Sequence, residues 1–166
     1  MFCGSQSLMQ RPMDVYRMLC EEKGLVYLQD GQSVFVQGPL RAGEYAVVGN
    51  ISSQFISGLL FALPMVEGDS TIRISPPIES RPYINLTIDA LRTFGVEVIW
   101  QDEHTLFVRG AQSYRATETE VEGDYSNAAF FAALNCAGGD VRVTGLRPGS
   151  LQGDRVYEQY LPLIRS

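Results

Sequence analysis

The sequence predicts an α/β (α+β) fold built from repeated β-α-β-α-β-β units, one complete unit flanked by two partial ones. Three observations carry this expectation. The chain repeats itself at offsets of 70 to 74 residues: Arg11 and Pro12 recur as Arg81 and Pro82, Phe35, Val36 and Gly38 as Phe107, Val108 and Gly110, and Gly68 and Asp69 as Gly139 and Asp140. Each Arg-Pro pair opens a stretch with helical apolar spacing, which Gly24 or Gly95 ends. Two short strand-like runs joined by a polar link follow each of those helices.

The elements then follow in chain order. Proline costs little in a first helical turn, where its missing N–H would have no intrahelical partner anyway. Pro12 therefore predicts a helix over 12–23, with Val15, Met18 and Leu19 at helical spacing and Gly24 as the stop. Strands over 25–28 and 34–37 are expected to form a hairpin across the polar link 29–33. A strand over 44–48 leads into an apolar helix opened by Ser52 and Ser53, and a strand over 71–74 comes next. Pro82 opens a helix that carries Ile84, Leu86, Ile88 and Leu91 and ends at Gly95. A second hairpin joins 96–100 to 105–109. The pattern restarts with a strand over 118–121, a helix opened by Ser126, a strand over 140–144 and a last helix over 154–164. In phase, 44–110 is the complete unit, 11–38 the second half of a preceding one, and the segment from Glu118 onward the first half of a following one. On this pattern the chain is a piece of a longer repetitive protein.

Composition narrows the classes of function. With 45% hydrophobic residues, 166 residues suffice for a real core in one or two small domains. A net charge of −6 argues against a general nucleic-acid or anionic-membrane binder. Cys3, Cys20 and Cys136 are odd in number and widely spaced, which suits a reducing cytosol and offers no metal site. His104 is the single histidine and falls in a polar link, where a solvated turn residue is expected rather than a catalytic base. Met1 leads into a polar segment rather than a signal peptide. The longest apolar stretch, 55–66, is too short to span a bilayer and is broken by Pro64. The expected location is the cytoplasm, with no membrane and no nucleic-acid partner.

The segment formed by Gly49, Asn50, Ile51, Ser52, Ser53, Gln54 and Phe55 places two hydroxyls and an amide where a strand stops and a helix begins. A helix start presents unpaired N–H groups and partial positive charge, so it attracts anions, and adjacent serines add donors. The simpler role is a helix cap. The repeat separates these roles: pairing Ser52, Ser53 and Gln54 with Ser126, Asn127 and Ala128 keeps only the first serine. Ser53 and Gln54 are therefore the stronger functional candidates. Ser80 likewise faces Gln10 in the other copy, whereas Arg11 and Arg81 are equivalent, so part of their role is structural.

Four ordered motifs resemble one family. They are Arg11-Pro12-Met13, the serine segment with Gly58-Leu59-Leu60, Ser80-Arg81-Pro82-Tyr83, and Gly123-Asp124-Tyr125-Ser126-Asn127-Ala128. Together they look like the middle of a 5-enolpyruvylshikimate-3-phosphate synthase (3-phosphoshikimate 1-carboxyvinyltransferase), and the likeness covers essentially the whole chain. The resemblance implies the enolpyruvyl transferase fold, with two lobes of three such units each. It also implies transfer of the enolpyruvyl group of phosphoenolpyruvate to the 5-hydroxyl of shikimate 3-phosphate, in chorismate and aromatic amino-acid biosynthesis, with no metal or organic cofactor. By motif, Ser52, Ser53 and Ser80 would hold the phosphate of shikimate 3-phosphate, Gln54 would reach both substrates, and Tyr83 would lie against the shikimate moiety. Arg11 would pair with phosphoenolpyruvate through its planar fork of donors, and Arg81 is a less secure contact for shikimate.

The same resemblance implies that catalytic acid–base groups come from segments with no counterpart here, so no catalytic residue is assigned and the isolated chain is expected to be inactive. Asp124 and Asp140 sit in different motif contexts and do not replace them. The implied lobe boundary gives a partial first lobe over 1–122 and the truncated start of the second over 123–166. That last piece is expected to pack on the preceding repeat, swap with a second chain or stay mobile, and exposed apolar surface favours self-association. Two alternatives stand beside this assignment. One is the sister enolpyruvyl transferase acting on UDP-N-acetylglucosamine, against which the Ser-Ser-Gln-Phe and Ser-Arg-Pro-Tyr segments argue. The other is a non-catalytic anion-binding or assembly module.

Overall fold

The computed structural model describes residues 1–50 and 52–164; Ile51 of the serine segment, together with Arg165 and Ser166, lies outside the described residues. The expected complete unit is present as β4 (Glu44–Val48), α3 (Ser53–Ala62), β5 (Ser70–Ser75), α4 (Arg81–Thr93), β6 (Val98–Trp100) and β7 (Thr105–Val108). These strands make a four-stranded sheet in the order β4-β5-β7-β6, with β4 and β5 parallel and the other pairs antiparallel. Alternation along the strands explains the core. Tyr45, Val47, Ile72, Ile74, Leu106, Val108 and Val98 point to one face, and Ile56, Leu59 and Leu60 of α3 with Ile84, Ile88 and Leu91 of α4 cover it.

The preceding half unit is also present. It consists of α2 (Asp14–Glu22) and the antiparallel hairpin of β2 (Val26–Gln29) with β3 (Ser33–Gln37). Gly24 and Gly95 take φ values of 66° and 80° after α2 and α4, the left-handed conformation that ends a helix and that glycine reaches without steric cost. Pro82 sits in the first turn of α4, as expected. Pro12, by contrast, precedes α2, which is capped by Met13 and starts at Asp14. Two elements were not anticipated: β1 (Phe2–Cys3), which adds to the edge of β3, and α1 (Gln6–Met9).

The expectation fails for the third repeat. Its helices form as α5 (Tyr125–Cys136) and α6 (Tyr157–Ile164), the latter preceded by a 3-10 turn at Gly153–Val156. The expected strands over 118–121 and 140–144 do not form. Two short runs without further neighbours cannot sustain a sheet, because the ladder bonds on their outer sides have no acceptors or donors. Other groups take over part of that hydrogen bonding. The Asn135 side chain accepts from the Val141 N–H at 2.8 Å and donates to its carbonyl at 2.7 Å, and Gly123 N donates to Gly145 O at 2.8 Å. Among the described residues, no helix is long and apolar enough to cross a membrane.

Candidate functional site

Parallel strands place their carboxyl ends at one edge, and here each leads into a helix whose first turn faces that edge. β4 and β5 run in register from Glu44 opposite Thr71 to Val48 opposite Ser75. Beyond the last pair, Gly49 N donates to Ser75 O at 3.0 Å and Glu79 N donates to Gly49 O at 3.4 Å. A Cβ at position 49 would lie 2.5 Å from Ser75 O and 2.7 Å from Pro77 O. Glycine is therefore required for the turn before α3 to lie against the link before α4.

The caps of the two helices are Ser52 and Ser80. Farther along, Ser57 Oγ and Thr87 Oγ1 meet at 2.7 Å. Ser57 is five residues past one cap and Thr87 seven past the other. With helices running in the same direction at 1.5 Å per residue, the two first turns are staggered by only about 3 Å. The expected Ser52-Ser53-Gln54 and Ser80-Tyr83 groups thus lie side by side at the carboxyl edge of the sheet, where α/β proteins commonly take ligands.

The side chains in this edge are engaged to different degrees. Ser52 accepts from Gln54 N at 3.3 Å and so caps α3. The side chains of Ser53, Gln54 and Ser80 have no hydrogen-bond partner among the described residues. Tyr83 is 38% exposed on the first turn of α4. Gly153 approaches that turn closely enough that a Cβ there would lie 3.2 Å from Pro82 Cβ and 3.8 Å from the Tyr83 ring, so the segment before α6 packs against it. Arg11 is exposed just before α2, with no ion pair among the described residues. Arg81 is committed elsewhere. Its guanidinium stacks 4.1 Å from the Trp100 ring centroid and donates to Glu103 O at 2.6 Å, which ties α4 to the β6–β7 hairpin.

The repeat pairing of the serines needs correction. The cap of α5 is Asp124, whose carboxylate accepts from Ser126 N at 2.8 Å and Ser126 Oγ at 2.6 Å. Ser126 is already the second residue of the helix, so the cap falls to Asp124, whose charge also meets the positive helix end. Ser52 therefore pairs with Asp124, at an offset of 72, and Ser126 matches Gln54 rather than Ser52. What separates Ser52 from Ser53 and Gln54 is hydrogen bonding, not the repeat.

Sequence reasoning passed over Tyr16. Its hydroxyl donates to Phe55 O at 3.2 Å and its ring meets Phe55 edge-on, with centroids 4.9 Å apart. The signal was Gly58, a glycine in a helix interior where a better helix former is expected. His104 is an exposed turn residue, its N–H donating to Asp102 Oδ1 at 2.7 Å. A cleft of about 970 Å³ lies beside Met1, Cys3 and Asp30 on the other sheet, away from the paired helix starts. Asp30 there is already satisfied by Gln32 N and Ser33 N.

Comparison with known proteins matches residues 1–164 to the family model described as EPSP synthase (3-phosphoshikimate 1-carboxyvinyltransferase). Among curated relatives, the chain is 43% identical to the 3-phosphoshikimate 1-carboxyvinyltransferase of Brachyspira hyodysenteriae, over 93% of this chain and 37% of that protein. It is also 43% identical to the enzyme of the same name from Clostridium beijerinckii, over 93% of this chain and 36% of that protein. The solved structure of EPSP synthase from Acinetobacter baumannii superposes with a TM-score of 0.61 at 26% identity, covering 78% of this chain and 29% of that one. The chain thus spans a little over a third of the length of the curated relatives it matches.

Proposed function

The chain belongs to the EPSP synthase (3-phosphoshikimate 1-carboxyvinyltransferase) family, and on that premise we propose that the paired first turns of α3 and α4 are the shikimate-3-phosphate half of an enolpyruvyl-transfer site. The reaction would move the enolpyruvyl group of phosphoenolpyruvate to the 5-hydroxyl of shikimate 3-phosphate and release phosphate. The observation that carries this is the juxtaposition of two helix starts bearing Ser53, Gln54 and Ser80, whose side chains have no hydrogen-bond partner among the described residues.

Each residue has a physical task. The hydroxyls of Ser52, Ser53 and Ser80, with the leading N–H groups of Ser53 and Arg81, surround the phosphate with donors, whereas Gln54 N, Phe55 N and Tyr83 N are already given to Ser52 and Ser80 and Pro82 has none. Tyr83 presents a flat apolar face to the shikimate ring. The Gln54 amide bridges toward the second substrate, and the Arg11 guanidinium takes the phosphate of phosphoenolpyruvate. These groups bind and orient. None is a carboxylate or a lysine suited to take the proton of the 5-hydroxyl or to protonate the enolpyruvyl methylene, so the 166-residue chain binds without turnover.

The test is a titration of the chain with shikimate 3-phosphate, followed by amide chemical shifts. Shifts at Ser52, Ser53 and Ser80 support the half-site, whereas no shift at millimolar ligand sinks it and favours a structural module. Phosphate release from both substrates by this chain alone would overturn the proposed inactivity. Phe130 and Leu134 on α5 are 76% and 51% exposed, which supports self-association or exchange of this helix between copies. A monodisperse monomer by light scattering at high concentration rejects that. The proposed compartment is the cytoplasm.

A further inference from the structure

Helix α3 carries a glycine at its centre, which costs about 1 kcal/mol relative to alanine in a helix interior. Neighbouring geometry explains it. A Cβ on Gly58 would lie 2.0 Å from the Tyr16 hydroxyl oxygen and 3.2 Å from Cζ of that ring. The hydroxyl sits in the notch left by the missing side chain and donates to Phe55 O at 3.2 Å, with Gln54 O at 3.5 Å. Edge-on packing of the ring against Phe55, at 74°, fixes it from the other side. Burial raises the pKa of this phenol, which keeps it a neutral donor.

We propose that Tyr16 is a positioning residue for the anion-binding first turn of α3, and that Gly58 is glycine in order to receive its hydroxyl. The carbonyls it holds belong to Gln54 and Phe55, so the contact fixes the peptide planes of the turn that begins at Ser52. Tyr16 also lies in α2, which starts three residues after Arg11. One contact therefore sets the segment carrying the phosphoenolpyruvate arginine against the turn that takes the other phosphate. This role rests on the half-site reading above.

The test compares the chain with Tyr16→Phe, Gly58→Ala and the double variant, using shikimate 3-phosphate as the probe and amide shifts as the readout. Loss of one hydrogen bond in Tyr16→Phe is expected to weaken binding about threefold, with ligand-free shifts of the Gln54 and Phe55 amides moved and the thermal midpoint little changed. Gly58→Ala drives a methyl into the hydroxyl and is expected to weaken binding about tenfold or more. The double variant is expected to bind more tightly than Gly58→Ala alone, because the methyl then meets only the ring carbon, which needs to give by a few tenths of an ångström. Such rescue is not expected from independent losses of stability. Binding by Tyr16→Phe equal to that of the parent, with unmoved Gln54 and Phe55 amides, overturns the role while leaving the half-site intact. If Gly58→Ala does not fold, Tyr16→Phe decides alone. Absence of binding by the parent chain itself overturns the half-site and this role with it.

Discussion

Ser57 donates its hydroxyl proton to Thr87 across the α3–α4 interface. The two oxygens are 2.7 Å apart, and the single Thr87 proton goes to Tyr83 O at 3.0 Å, so the shared hydrogen must come from Ser57. The bond joins the helices that carry the two halves of the proposed phosphate cradle, and through Tyr83 it reaches the turn proposed to meet the shikimate ring. Thr87→Val strands the Ser57 donor and is expected to cost about 1 kcal/mol. Ser57→Ala strands only an acceptor lone pair and should cost less. Urea midpoints for the two single variants and the double would show a coupling of about 0.5 kcal/mol or more. Strict additivity would mean that the helices are spaced by packing alone.

Ser52 and Ser53 are adjacent and should behave oppositely. Ser52 caps α3, so Ser52→Ala is expected to lower stability by about 1 kcal/mol. Ser53→Ala removes a hydroxyl with no partner among the described residues and should change stability by less than about 0.5 kcal/mol. The order reverses for ligand: Ser53→Ala should weaken shikimate 3-phosphate about tenfold, as expected for a lost bond to a charged group. Equal stability losses for both variants would remove the distinction.

Much of this arrangement was legible because the repeat carries its chemistry with it. Asp30 and Asp102, 72 residues apart, hold their hairpin turns with the same bond, accepting from Gln32 N and His104 N at 2.8 and 2.7 Å. Helix stops, the two hairpins and the complete unit followed from such local signals. What failed was non-local. A strand needs a neighbour, and no residue within 118–121 or 140–144 states whether one is alongside. Residue identity alone misaligns the serines of the two copies, whereas the buried positions align their caps. Ile56 and Ala128, each four residues after a cap, are both buried and would have aligned Ser52 with Asp124. Tyr16 was missed because its partner, Gly58, is a void that only the facing helix explains.

The Asp124 cap predicts an acid-sensitive α5. Hydrogen bonds from the Ser126 hydroxyl, then from its N–H, hold the Asp124 carboxyl below the usual carboxylate range. A depressed folded value means that the ionised form is favoured by folding. The stabilisation is complete above the unfolded value of about 3.9 and is lost as pH falls through the lower folded value. Asp124→Asn keeps a capping oxygen but no charge, so its stability deficit at neutral pH should shrink as pH drops below about 4. A deficit that stays constant between neutral and acid urea titrations would show that the charge contributes nothing.

Arg81 separates a structural arginine from a binding one. Its guanidinium is occupied by the Trp100 face and by Glu103 O, and Trp100 in turn donates from Nε1 to Asn85 Oδ1 at 2.9 Å. The hairpin is thereby fastened to the first turns of α4 through one arginine and one tryptophan. Arg81→Met keeps an apolar stem but loses the cation–π contact and the charged donor, and is expected to cost about 1 kcal/mol. Trp100 is the single tryptophan, so its emission reports the hairpin directly. The variant should shift that emission and lower the urea midpoint, while shikimate 3-phosphate affinity changes less than about threefold, because the proposed phosphate donors are other residues. A tenfold affinity loss with unchanged emission would instead make Arg81 a ligand contact, and would require its guanidinium to leave Trp100 when substrate arrives.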